Sequence, residues 1–344
     1  MKTLQTSSTE ERQPNDCIRL LLGLLAAVII AAAMSLCLGP IRLPLRDVFS
    51  VFMGSGARES VAGKILLYSR LPRTCGCLLA GAALSASGAV IQTVLDNPLA
   101  APNVIGVNAG AGLAVTLCGV FLPLKAGLMP LAAFLGALCA VLLVLFIGER
   151  TGASRLTLIL AGVAVSAVFT GGVELVISLV PDALGTYADF RVGGFAGVTI
   201  QRVLPAAPVI VIALAAVLAL SGDMDVLALG DDTARSLGLR TRPVRFLLLT
   251  CAAALAGAAV SIAGLLGFVG LIVPHGVRKL TDGESLWLVL CSALGGAALV
   301  AVCDLLARLA FAPYELPVGV LLSFIGGPFF LYVILRQRGG RRRA

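Results

Sequence analysis

Charge is what this sequence has least of. Asp, Glu, Lys and Arg supply 13% of its 344 residues, against 59% that are hydrophobic. A water-soluble chain of this length has too little polar surface to cover so much apolar side chain, so soluble classes are excluded and a membrane protein is implied. There is one histidine, His275, with no second imidazole to share a metal or a proton. No CxxC pair occurs among the nine cysteines, and "CGC" at 75–77 is too tight for zinc. Scattered singly in apolar runs, Cys118, Cys139, Cys251 and Cys291 read as small packing residues. No phosphate-binding loop is present: Gly63-Lys64 lacks the upstream glycine and precedes Ile65 rather than Ser or Thr. Neither a Ser/His/Asp array nor a paired-carboxylate site is visible. The chain is therefore not expected to be an enzyme, to hydrolyse nucleotide or to bind a cofactor or metal.

What the sequence has instead is long, continuous apolar runs. They do not alternate with a period of two, which argues for helices rather than a barrel. Thirty-nine glycines suit close helix packing in lipid. A spanning helix needs roughly 20 apolar residues. By that measure ten spans are expected: 17–38, 65–92, 102–121, 126–148, 156–180, 203–220, 246–266, 267–278, 287–307 and 316–335. The second is long and the eighth short, and a short Gly/Pro-rich span marks a broken helix. The first sixteen residues are polar, with Glu10, Glu11 and Asp16, unlike the basic start of a cleaved signal. The fold class read here is an all-α polytopic membrane protein with ten transmembrane helices.

Ten spans put both termini on one side, and the basic tail 336–344 makes that side cytoplasmic. The formal charge of +8 then reflects Lys and Arg holding inner loops, not a nucleic-acid partner. Arg42, Arg46, Arg58, Lys64, Arg70 and Arg73 fall outside against that rule. They are either interfacial cations reaching lipid headgroups or a docking surface for an acidic partner.

"GAALSASG" (81–88) and "GAAVSIAG" (257–264) share a pattern, and Pro98 and Pro274 follow at equal distance. The two copies would cross in opposite senses, as in an inverted internal repeat.

Three segments carry the remaining polarity. In 92–112, Asp96, Asn97, Asn103 and Asn108 stand among Pro98 and Pro102, either as an ordinary loop or as the inner end of a central path. The segment 221–245 is the largest hydrophilic stretch between spans. Within it "DDTARSLG" reads as a short helix, with Asp231 and Asp232 at its positive end and Gly238 as its stop. It is either a plain charged loop or a lever for a cytoplasmic partner. Glu174, Asp304 and Glu315 do not share one helix face and read as helix-end or interface residues rather than a proton relay.

These segments, with "RLPR" at 70–73 and "ELPVGVLLSFIGGPFFLYVIL" at 315–335, resemble the permease subunits of bacterial ABC importers for ferric siderophores, haem and cobalamin. The resemblance runs in order from residue 70 to 335. It implies one permease domain over 1–344, with a cytoplasmic tail (1–16), a cytoplasmic coupling segment (221–245) and the basic tail. It also implies a bacterial cytoplasmic membrane and a dimer, most simply a homodimer, around a central path. Two cytoplasmic ATPase subunits would consume ATP, and an extracytoplasmic binding protein would deliver the ligand. By resemblance, Arg70, Arg73 and Arg308 dock the binding protein. Asp231, Asp232, Thr233, Ala234, Arg235, Ser236, Leu237 and Gly238 form the coupling helix. "TGASR" (151–155) matches an inner gate, where Ala153 leaves Ser154 as the polar residue. On the path reading of 92–112 given above, Asn97, Pro98 and Asn103 are its candidate residues. In "DFRVGGFAG" (189–197) the family's tryptophan near Arg191 and serine near Gly194 are missing, so ligand preference is expected to differ. A ferric siderophore is the expected cargo, with haem or cobalamin as the alternative. An ion-driven transporter is the alternative of another class, and it would need an essential buried carboxylate.

Overall fold

The computed structural model describes residues 14–39, 41, 43–54, 59–122, 126–151, 155–281, 284–310 and 314–341. Helices account for all regular structure among them. Seven are long and apolar enough to cross a bilayer, fewer than the ten expected. Two of the other expected spans, 102–121 and 316–335, fall on shorter apolar helices, Val107–Phe121 and Val318–Val333, and 267–278 falls on the ten-residue helix Val269–Arg278, for hydropathy marks an apolar stretch but not where its helix breaks.

α1 (Pro14–Cys37) is mostly exposed and apolar, as a lipid-facing helix should be. α2 (Leu45–Phe52), which the hydropathy pattern does not reveal, packs Val48 and Val51 on Leu43 and Leu66. α3 (Val61–Ile65) then passes through a wide π-turn, Leu66–Arg70, into α4 (Leu71–Val94). Pro72 explains the turn. It has no N–H and its ring crowds the carbonyl four residues back, so the ladder widens and the Leu71 N–H reaches Leu66 instead.

α4 is buried on nearly every side and forms the centre of the molecule. Its small residues permit this. A methyl group at Gly81 would collide with the backbone of Gly296, and one at Gly88 with that of Gly270. After a 3₁₀ turn, Pro102–Ile105, come α5 (Val107–Phe121), α6 (Met129–Arg150), α7 (Arg155–Leu179) and α8 (Ala183–Val192). α9 (Ile200–Ala219) carries Pro205 and Pro208 inside it. The hydrophilic segment is itself helical: α10 (Ser221–Ala228), α11 (Asp231–Ser236) and the first turn of α12 (Thr241–Ala263). α13 (Val269–Arg278) is the short broken helix, entered through Phe268 in the left-handed region (φ +66°). α14 (Ser285–Leu309) and α15 (Val318–Arg341) complete the chain. α4 lies chiefly against α14 and α12, and α12 also against α6 and α9.

Candidate functional site

Two charged clusters sit at opposite ends of α4, one around Arg73 and one around Asp96. At 1.5 Å per residue they are about 35 Å apart, close to a bilayer's thickness.

At the Arg73 end, Arg73 grips Asp304 in a forked pair: its Nε lies 3.0 Å from Oδ1 and 3.1 Å from Oδ2, and its Nη2 2.9 Å from Oδ1. Its Nη1 donates to Glu315 Oε2 at 2.7 Å. Asp304 is fully buried on α14, and Arg308, one turn on, lies 3.0 Å from its Oδ2. Arg308 also donates to Ser35 Oγ at 2.8 Å, and Ser35 shares a hydrogen bond with Thr74. Arg70, on the π-turn, donates to the Leu36 carbonyl at 2.6 Å and to that of Ile41.

The three arginines thus meet at one end, and they are turned inward. Arg70 and Arg308 are 5% and 3% exposed, and Arg73 is largely covered. For Arg73 and Arg308 the physical reason is Asp304: a carboxylate inside a helix cannot stay buried without countercharge, so it draws their guanidiniums in. Clamped in this way, Asp304 ties α4 to α14. Arg70 is held instead by the Leu36 and Ile41 carbonyls. Among the described residues, the exposed cations at this end include Arg46, Lys64 and Arg202.

A cavity of about 670 Å³ opens beside the cluster, between the start of α6, α8, the end of α12 and residues 315–318. Arg73, Glu315, Asp189 and Arg202 supply its charge. The expected ligand-preference segment 189–197 forms one wall, with Gly193 at φ +64° pressed against the Leu265 carbonyl.

At the other end, α11 forms as the sequence suggests. Gly238 (φ +86°) stops it, the Leu239 N–H reaches back to Ala234, and that of Gly238 to Arg235. Ala234 is fully buried and Asp231 half-buried, while Asp232, Thr233, Arg235, Ser236 and Leu237 are exposed. Arg245, almost fully buried at the start of α12, holds Asp231 at 2.5 Å. Burial pushes the Asp231 carboxyl up, but the hydrogen bond and charge of Arg245, with Arg155 and Arg235 behind it, outweigh that and hold it below the usual range. Arg155 adds contacts to Asp96 (2.6 Å) and to the Leu227 carbonyl (3.0 Å). Neither Arg155 nor Arg245 stood out in the sequence, because their partners are remote or lie on another helix.

Asn97 is half-buried and spends its side chain on its own turn, accepting the Leu99 N–H at 3.0 Å. Pro98 and Asn103 are exposed nearby. Ser154 lies outside the described residues. His275, its ring edge-to-face with Phe329, belongs to no group of three or more potential metal ligands among the described residues.

The sequence matches the FecCD transport family over residues 25–336. The chain belongs to that family. FecCD-family relatives agree along nearly their whole length. The chain is 38% identical to the iron(3+)-hydroxamate import system permease protein FhuB of Bacillus subtilis (strain 168), over 98% of this chain and 89% of that one. It is 38% identical to the ferric enterobactin transport system permease protein FepD of Escherichia coli (strain K12), over 92% and 96%. It is 35% identical to the hemin transport system permease protein HmuU of Yersinia pestis, over 94% and 97%. A solved structure assigned to the metal-chelate type of ABC transporter, in an inward-facing conformation, superposes with a TM-score of 0.82 at 28% identity, covering 93% of this chain and 99% of that one. As a FecCD chain with several membrane helices, this is a multi-pass transport subunit and not an enzyme.

Proposed function

We propose that this chain is the permease subunit of an ATP-driven importer of ferric siderophores in a bacterial cytoplasmic membrane. One observation carries the reading: α11 is pinned at Asp231 and Ala234 yet presents its remaining face outward, at the end opposite the arginine cluster. A short helix held in this way can transmit a push. The relatives' names supply the cargo class, a chelated iron.

In this reading the chain crosses ten times, with α5, α13 and α15 joining the seven long helices. An inverted repeat is supported by exchanged packing: α4 lies on α14 and α12 on α6, so each copy's leading helix rests on the other copy's third. Both termini and α11 face the cytoplasm, in keeping with Arg240, Arg242 and the basic tail. A second copy covers the exposed apolar faces of α7 and α15, where Val168 and Phe324 stand open, and encloses the path. Two ATPase subunits receive α11 on the inside. The binding protein docks over the Arg73 end. Arg46 and Lys64 make first contact there, and the cluster of Arg70, Arg73 and Arg308, with one positive charge more than Asp304 and Glu315 cancel, adds field and frame. Asn97, Pro98 and Asn103 belong to the inner end of the path. The contact of Asp96 with Arg155 supports this, because it joins their segment to the start of α7, next to the loop assigned to the gate.

Breaking α11 tests the reading. In the assembled transporter, Ala234→Pro should leave ATP hydrolysis running while chelate uptake stops. Normal coupled uptake in that variant would overturn it.

A further inference from the structure

We propose that Arg155 is the positioning residue that ties α11 to the turn between α4 and α5, so that a push on the coupling helix reaches the inner gate through one side chain. The proposal rests on the reading of α11 given above and names the transmitting part.

Arg155 stands at the first position of α7. Its guanidinium meets three separate elements. Nη1 holds Asp96 at 2.6 Å in the turn that follows α4. Nη2 donates to the Leu227 carbonyl near the end of α10 and lies 3.7 Å from Asp231, the first residue of α11. A guanidinium can do this because its donors diverge in a fixed plane, whereas an ammonium is a single point charge. Arg155 thus joins Asp96 to Asp231 through one guanidinium.

Asp96 suits the receiving end. It takes a left-handed conformation (φ +48°), which Asp tolerates, and so redirects the chain from α4 into the Asn97 turn. From the far side Arg278 of α13 caps the same helix end, donating to Thr93 at 3.2 Å. The turn therefore stands between two arginines on two helices. Asp96 is well exposed and Arg155 partly so, which makes the pair weak enough to break and re-form in every cycle. The pair of Asp231 with buried Arg245 is more sheltered and keeps α11 on the body of the protein while Arg155 carries the displacement across.

The test uses the complete transporter, with ATPase and binding protein, in proteoliposomes, and reads chelate taken up per ATP hydrolysed. Asp96→Asn is the mildest probe, since Asn keeps the left-handed backbone and loses only the charge. Asp96→Asn and Arg155→Gln should each lower the ratio about fivefold or more, and the double variant should be no worse than the poorer single. Arg155→Lys should recover part of the loss. A merely structural role would lower assembly or thermal stability and leave the ratio alone. An unchanged ratio in Asp96→Asn, or additive losses in the double variant, overturns the relay. Ala234→Pro, run alongside, separates the two claims. If it uncouples the transporter while Arg155→Gln does not, the relay alone fails. If it stays coupled, the role of α11 fails and the relay with it.

Discussion

Arg73 and Asp304 are 231 residues apart in the chain and meet in a forked ion pair with no contact longer than 3.1 Å. With Arg308 also on Oδ2, the pair locks the start of α4 to the end of α14. Removing one partner of a buried pair leaves an uncompensated charge, at a cost of about 3–5 kcal/mol. Asp304→Ala should therefore lower the thermal midpoint of the purified subunit sharply and reduce its yield. Replacing Asp304 together with both guanidiniums by apolar residues of similar volume should recover most of that loss. An unchanged midpoint in Asp304→Ala would mean the cluster is not structural.

The same geometry separates two sets of cations. Arg46→Glu with Lys64→Glu should weaken binding-protein docking several-fold at low salt and flatten its salt dependence, since exposed pairs contribute about 0–1 kcal/mol each. Reversal at Arg70, Arg73 and Arg308 should destabilise the subunit before it changes docking. Docking titrations on variants of confirmed thermal stability separate the two effects. Full affinity in the Arg46/Lys64 double variant would remove those residues from the interface.

Glycine contacts give a paired prediction. Gly88→Ala would drive a methyl into the Gly270 backbone and push α13 off α4, lowering the thermal midpoint strongly. Gly222→Ala in α10 meets nothing within 4 Å and should stabilise by about 0.5–1 kcal/mol by restricting the unfolded chain. Thermal denaturation of the two variants side by side checks both signs.

Asp231 sets a pH dependence. Its carboxyl titrates below its unfolded value of about 3.9, so its bond to Arg245 contributes fully above that value and is lost as pH falls through the lower folded one. Amide exchange in α11, corrected for the intrinsic rate, should be flat from about pH 8 to pH 5 and rise only under stronger acid. Asp231→Asn should abolish the acid dependence and raise exchange at neutral pH.

Much of this fold could be read from the sequence because hydropathy and helix stops are local properties. The long second span, the broken eighth and the α11 helix with its Gly238 stop all follow from residues within a few positions of one another. α2 and α8 escaped notice because each is too short to make an apolar run. The motifs single out Arg70, Arg73 and Arg308, but not their inward turn. For Arg73 and Arg308 it depends on Asp304, whose only local sign is Arg308 four residues on, and nothing in the sequence pairs Asp304 with Arg73. For Arg70 it depends on the Leu36 and Ile41 carbonyls, which are also remote in the chain. Arg155 was hidden for the same reason: its partners lie in the turn after α4 and in α11, and only the fold brings them together.

The central claim is that this subunit moves chelate only when a soluble protein outside supplies cargo and an ATPase inside supplies work. Uptake of radiolabelled ferric siderophore into proteoliposomes measures it directly. The account predicts uptake with permease, ATPase, binding protein and ATP together, and none when any one is withheld. Uptake by the permease alone, driven by an ion gradient, would contradict it.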